Sequence, residues 1–215
     1  GSGQAVFGSE VSFRIRAEGQ QVNVERFSTP AGTGLDLSQR LALFRSFLGG
    51  IPQFDADGEI NLYLPAVVAG DTVIREVGMD LRPAPLGEGW QIRNLEAQLP
   101  GRTDMRADGQ LLLGDKFEYQ GELVLASRQP SGLAKWLGSD ASPAIRELSV
   151  AGFSADTLIS GYLVEFNNVE IVLNNEVLKG EIRRDMTSGE RPGLRANLTG
   201  DRVDFDQLAS LFDLV

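Results

Sequence analysis

The chain contains no histidine and no cysteine. The first absence removes the usual general base, the commonest metal ligand and the base of a nucleophilic triad. The second excludes disulfides and thiol chemistry, and is neutral as to compartment. Long apolar runs are missing as well: none approaches the 18 residues of a membrane-spanning helix, so no span is expected in this chain. Cations are scarce, with 20 Lys and Arg against 30 Asp and Glu. A net charge of −10 disfavours nucleic acid, because little could displace phosphate counterions, and disfavours adsorption to an anionic membrane. No Gly-rich loop leads from a strand into a helix, so nucleotide binding has no support. What is plentiful is glycine, 25 residues of 215, beside 42% hydrophobic residues. That combination predicts many turns around a real core.

One supersecondary unit recurs. Asp36-Leu-Ser-Gln39-Arg-Leu41-Ala-Leu-Phe44 is echoed by Asp204-Phe-Asp-Gln207-Leu-Ala-Ser-Leu211-Phe212, and a looser copy runs from Pro130 through Leu133 and Trp136 to Gly138. Asp followed three residues later by Gln can satisfy the orphan amides of a helix start. Leu37, Leu41, Phe44 and Leu48 then form one apolar stripe, and Gly49-Gly50 and Gly138 act as stops. Pro130 suits a first helical position, where its missing N–H costs nothing. Helices are therefore predicted near 37–48, 130–137 and 205–213, as scaffold that packs onto a sheet. Leu95 to Pro130 and Val169 to Asp204 each span 35 residues, which sets the register of the repeat.

The rest reads as strand upon strand. Val11, Phe13, Ile15 and Ala17 alternate with polar neighbours, as do Ile60, Leu62, Leu64 and Ala66. Strands are predicted over 10–18, 21–28, 57–68, 72–83, 89–99, 102–113, 117–127, 145–152, 157–166, 168–174, 177–185 and 193–200. Turn residues fall between many of them, at Ala69-Gly70-Asp71, Leu99-Pro-Gly101 and Asn174-Asn175 among others. Short gaps favour hairpins, so the expected fold is mainly β: an elongated, curved antiparallel meander sheet with about three short amphipathic helices. The chain divides into residues 1–3, which read as a cloning remnant, a partial unit over 4–50, and two β units closed by helices over 51–138 and 139–215. It is expected to be a piece of something longer.

Motifs with chemical potential have simpler readings. Asp55-Ala-Asp57-Gly58 opens like a calcium loop, but its sixth position is Ile60 and its twelfth Ala66, so turn chemistry explains it. Asp104, Asp108, Asp115, Glu118 and Glu122 read as solvated strand faces rather than an acid–base pair. Arg183-Arg184 reads as a solvated edge charge, and Trp90 and Trp136 as core residues. No catalysis, metal or cofactor is expected.

The run Gly89-Trp90-Gln-Ile92-Arg-Asn-Leu95-Glu-Ala-Gln-Leu99-Pro100-Gly101, continuing to Asp108-Gly109-Gln-Leu111, resembles the C-terminal region of the AsmA family. So do Phe117-Glu-Tyr-Gln-Gly121-Glu-Leu123-Val-Leu125, the 130–138 helix and the closing Leu194-Arg-Ala-Asn-Leu198…Asp204-Phe-Asp-Gln-Leu208. The resemblance covers about residues 55–213 and rests on glycine, leucine and aromatic positions. It implies a periplasmic segment of an envelope protein of Gram-negative bacteria, related to TamB, whose parent is anchored in the inner membrane. It also implies a curved sheet that serves as an apolar trough for acyl chains in outer-membrane lipid homeostasis, with no catalytic residues. Twelve strands at ~4.8 Å each extend about 55–60 Å, so a trough segment rather than a complete bridge is expected.

Several strands look apolar on both faces: Leu158 to Phe166, Leu111-Leu112-Leu113 and Ile171-Val172-Leu173. Either both faces are covered by protein or one meets a ligand. In the second case Tyr119, Leu123, Leu125, Tyr162, Val164 and Phe166 are the candidates to touch a phospholipid or other acyl-chain ligand. In the first, the chain is a non-catalytic structural or interaction module stacked on further repeats of its parent or on an envelope partner.

Overall fold

The structure is a computed structural model, which describes residues 2–6, 12–23, 45–46, 48–51, 56–69, 72–84, 89–114, 117–137, 142–185 and 193–201. Its strands are β1 (Ser2–Val6), β2 (Ser12–Glu18), β3 (Val22–Asn23), β4 (Asp57–Ala69), β5 (Thr72–Pro83), β6 (Gly89–Leu99) and β7 (Thr103–Leu112). They continue with β8 (Glu118–Ser127), β9 (Ala151–Ser160), β10 (Leu163–Leu173), β11 (Glu176–Asp185) and β12 (Gly193–Gly200). Helical residues are 45–46 and 48–49 (α1), Pro130–Trp136 (α2) and Pro143–Glu147 (α3). All strands belong to one open, curved sheet in the order β1-β2-β4-β5-β6-β7-β8-β9-β10-β11-β12, with β3 also on β4. From β4 to β12 every neighbour in space is the neighbour in sequence, and every pair is antiparallel.

The first pairing on β4 departs from the predicted meander. Both β2 and β3 run parallel to β4, Ile15 opposite Ile60 and Val22 opposite Val67. A parallel pair needs a long crossover, and the segment between Asn23 and Asp57 is long enough to supply one. Elsewhere most strands are joined by short gaps that favour hairpins, and the longer β8–β9 connection, which carries α2 and α3, also returns the chain antiparallel.

The register assigns each side chain to a face. Ile60, Leu64, Val77, Met79, Leu81 and Leu95 are buried on one face of β4–β6, and cross-strand partners extend that face through Ala107, Leu123 and Ala155. The opposite face is polar. Arg82 and Arg14 flank Glu59 there, Asn61 Nδ2 donates to Asp80 at 2.5 Å, and ion pairs join Arg106 to Glu96 (3.5 Å), Lys179 to Glu170 (2.8 Å) and Arg183 to Glu165 (2.6 Å). Such exposed pairs add little to stability, because water screens them and holding two long side chains together costs entropy. The apparent two-sided apolarity thus resolves into one continuous apolar face, with only small apolar spots such as Leu158 and the paired Val172 and Val177 on the other. Leu158 lies between Gln120 and Glu165, and Val172 between Gly152 and Val177. Arg183 and Arg184 sit on β11, an interior strand, not on an edge.

Two hydrophobic clusters line the apolar face. The larger takes Leu48 and Ile51 from α1 and its exit, and Leu133 and Trp136 from α2, onto β4–β8. The smaller gathers Leu148, Ala155, Val169, Ile171, Leu173, Leu178 and Ile182 across β9–β11. Pro130 opens α2 as predicted, with Gln129 as its N-cap residue. Leu48 is fully buried at the end of the first predicted helix, and Gly50 N–H donates to Ser46 O at 3.1 Å. The caps at Asp36 and Asp204, the stop at Gly138 and the helix predicted over 205–213 lie outside the described residues.

The region 143–174 differs from the expectation of three strands. Ser142 Oγ accepts from Ile145 N at 3.2 Å and Pro143 follows at the first helical position, so α3 forms where a strand over 145–152 is predicted. Gly161-Tyr162 is the β9–β10 turn rather than strand interior. The break expected at Asn167, between strands over 157–166 and 168–174, is instead a bulge within β10, where the register shifts against both neighbours and Asn168 has φ 51°. A second bulge lies near Glu76, also at φ 51°, where β5 shifts on β6 between Arg75 and Gly78. Bulges add twist and bend the bulged strand, so these irregularities contribute to the curvature of the sheet.

Candidate functional site

Five of the six acyl-chain candidates fall on the apolar face. Tyr119, Leu123 and Leu125 share one side of β8. Across β9, Tyr119 pairs with Ile159, which pairs in turn with Val164, while Phe166 lies opposite Thr157. The structure therefore brings Tyr119, Leu123, Leu125, Val164 and Phe166 into one band over β8–β10. Tyr162 does not join it. It projects from the β9–β10 turn, 54% exposed, because Gly161-Tyr162 breaks the alternation that placed it on a strand.

Members of the band differ in exposure. Leu123, Leu125, Val164 and Phe166 are half-buried. Leu123 and Leu125 pack on the larger cluster and Phe166 on the smaller, so the band straddles the seam between them. Phe153 of β9, which sequence reasoning did not single out, belongs with it: its ring meets Phe166 edge to face, with centroids 5.3 Å apart. It sits on the face set by Leu125 and Ile171, its cross-strand partners. The signal was in the sequence, as Phe153, Ala155 and Thr157 alternate with Ser154 and Asp156. It was obscured by a strand boundary placed at 152.

Tyr119 is buried and its hydroxyl is committed to the backbone. The oxygen lies 2.8 Å from the carbonyls of both Asp108 and Glu122, between which its single proton is shared. These carbonyls flank the point where the backbones of Gly109 of β7 and Gly121 of β8 approach closely. Tyr119 thus ties β7 to β8 through their backbones rather than offering a free surface. Burial pushes its phenol well above the usual value, and the carboxylates of Asp108 and Glu122 push the same way. An unfolded tyrosine ionises near about pH 10. Above that pH the unfolded chain has released the proton while the folded chain keeps it, so unfolding becomes easier as pH rises. The stabilisation is intact below about pH 10 and is lost as pH climbs through the higher folded value. Tyr119→Phe should flatten this alkaline loss and cost about 0.5–1.5 kcal/mol at neutral pH for the missing hydrogen bond. Thermal melts from neutral to alkaline pH check both; equal alkaline slopes in parent and variant would show that the phenol is not held this way.

A shallow depression of about 200 Å³ on the polar face is lined by Arg16, Glu18, Asn61, Tyr63, Asp80 and Asn94 among others, over Gly78. Glu59, beside it, has its carboxyl held below the usual range, first by the hydrogen bond from Arg82 and then by the charges of Arg82 and Arg14. Among the described residues no three of His, Cys, Asp and Glu converge in a metal-binding arrangement, and no helix is long and apolar enough to cross a membrane. No family model matches the chain, and no curated protein or solved structure matches it.

Proposed function

We propose that this chain is a periplasmic, non-catalytic segment of an AsmA-like envelope protein that shields or conducts lipid acyl chains along its apolar sheet face. The observation that carries the reading is the half-buried band of Leu123, Leu125, Phe153, Val164 and Phe166. It is apolar, continuous across three strands, and backed by a polar opposite face that keeps the sheet's other side in water. An acyl chain gains roughly 0.8 kcal/mol per methylene buried, so about a dozen methylenes along such a band hold a lipid without a head-group pocket. The partners in this reading are a phospholipid or other acyl-chain ligand and further repeats of the parent. The strongly acidic chain gives nucleic acid no foothold.

A second reading has its own support. Leu48, Leu133 and Trp136 already cover much of the apolar face over β4–β8. In that reading the sheet is a structural or interaction module that binds no lipid, and stacks on further repeats or an envelope partner.

The two separate by experiment. Purified protein is examined by native mass spectrometry and lipid extraction, and retention of a fluorescent phospholipid is measured. Leu123→Asp and Val164→Asp place a charge in the band, whereas Val124→Asp places one on the opposite face of β8. Burying an unpaired carboxylate against acyl chains is costly, so the first two variants should lose lipid at least about tenfold more than the third. Folded variants that all retain lipid equally, or a parent that binds none, would leave the module reading standing.

A further inference from the structure

Among the described residues the sheet ends at β12, and that edge is unusually permissive. Among the described residues β12 pairs only with β11, in eight consecutive pairs without a register break. Seven of its eight residues are exposed, and Leu194 is 45% exposed. Natural edge strands are blunted by proline, inward-facing charge, bulges or very short length. Gly193-Leu-Arg-Ala-Asn-Leu-Thr-Gly200 has no proline, bulge or inward-facing charge and carries a single outward charge, Arg195. Instead it alternates like an interior strand. Leu194, Ala196 and Leu198 continue the apolar face beyond Arg184, Ile182 and Gly180, and Arg195, Asn197 and Thr199 continue the polar one.

The sequence of β12 is also compatible with itself. A one-residue slip sets apolar against polar side chains, so only registers that pair like faces need be weighed. Antiparallel pairing centred on Arg195 would put that arginine opposite its own copy. Centring on Asn197 leaves Leu194 against Gly200. Centring on Ala196 sets Leu194 against Leu198 twice, Ala196 against Ala196 and Arg195 against Asn197 twice, with no like charges opposed. We propose that β12 is a dimerisation edge, on which a second copy of this chain pairs its own β12 antiparallel about Ala196. The two-fold axis is normal to the sheet, so both apolar faces lie on the same side and the sheet runs unbroken through the dimer. One strand pair gives a small interface, hence a weak and concentration-dependent dimer.

Sedimentation velocity of the full chain over about 1–500 μM, the range suited to a small interface, tests this. The expected result is a monomer–dimer equilibrium. Asn197→Arg, at an exposed position, places arginine opposite Arg195 at two symmetric sites and should weaken dimerisation about tenfold, with an unchanged circular dichroism spectrum. Asn197→Gln should leave it as in the parent. Ala196→Pro should also weaken it, and Asn197→Arg keeps the question decidable if that variant does not fold. A parent that stays monomeric throughout, or an Asn197→Arg variant that dimerises like the parent, would overturn the proposal and leave the edge to a strand of other origin.

Discussion

Trp90→Ala is expected to remove about 3–5 kcal/mol of stability, the range for truncating a large aromatic in a packed core. Trp90 has no exposed surface and stands between Pro83 of β5 and Leu111 of β7. It belongs to the cluster that α1 and α2 close over β4–β8. Helices on one face of a single sheet can relax only so far into the void left behind, so most of the cavity should persist. Trp90→Phe should cost much less than that. The indole N–H has no hydrogen-bond partner among the described residues, and removing an unsatisfied donor offsets part of the lost contact area. Urea unfolding followed by circular dichroism measures both. A loss below about 1 kcal/mol for Trp90→Ala, the level of an ordinary surface change, would mean that α1 and α2 are not packed on this face.

The strands were legible because their chemistry is local. Period-2 alternation placed β4, β5, β6, β7, β8, β11 and β12 to within a residue or two, and Pro130 marked the start of α2. What could not be read depends on competition between local signals or on distant partners. Ile145, Leu148 and Val150 sit at spacings that fit a strand or a helical turn, and Ser142-Pro143 decided for the turn through a single capping hydrogen bond. Asn167-Asn168 and Gly161-Tyr162 are both turn-prone pairs, yet only the second is a turn. Asn168 tolerates the left-handed backbone that a bulge requires, and its Nδ2 donates to Asp156 Oδ2 at 2.6 Å. That partner lies on the neighbouring strand and is invisible to a window of sequence. The parallel edge of β2 and β3 on β4 likewise follows from where a long segment returns, not from the strands themselves.

The acyl-chain candidates follow the same division. Alternation put Tyr119, Leu123, Leu125, Val164 and Phe166 on one face because each is a strand residue. Tyr162 failed because its neighbours form a turn. Phe153 was missed because the strand it belongs to starts at Ala151. The difference between Tyr119 and its neighbours is a tertiary matter, since the close approach of β7 and β8 beside Gly121 brings two carbonyls within reach of its phenol.

That close approach sets the second large effect, Gly121→Ala. A Cβ on Gly121 would land on the carbonyl oxygen of Asp108 and lie 2.7 Å from Gly109 Cα, and both obstacles are backbone. Gly109 opposite has φ +131°, a conformation that L side chains rarely adopt. The two backbones therefore approach where neither residue can carry a side chain, and no rotamer change relieves the clash. The loss should reach about 3–5 kcal/mol, the exceptional range tied to enforced backbone strain, and the Tyr119 hydroxyl should lose its anchor with it. Gly78→Ala is the matched comparison. A Cβ there meets nothing within 4 Å, so the substitution should fall within about 1 kcal/mol of neutral, with a small gain from a less flexible unfolded chain. Chemical denaturation of the two variants side by side decides the point. Comparable stabilities would mean that β7 and β8 do not close at Gly109 and Gly121.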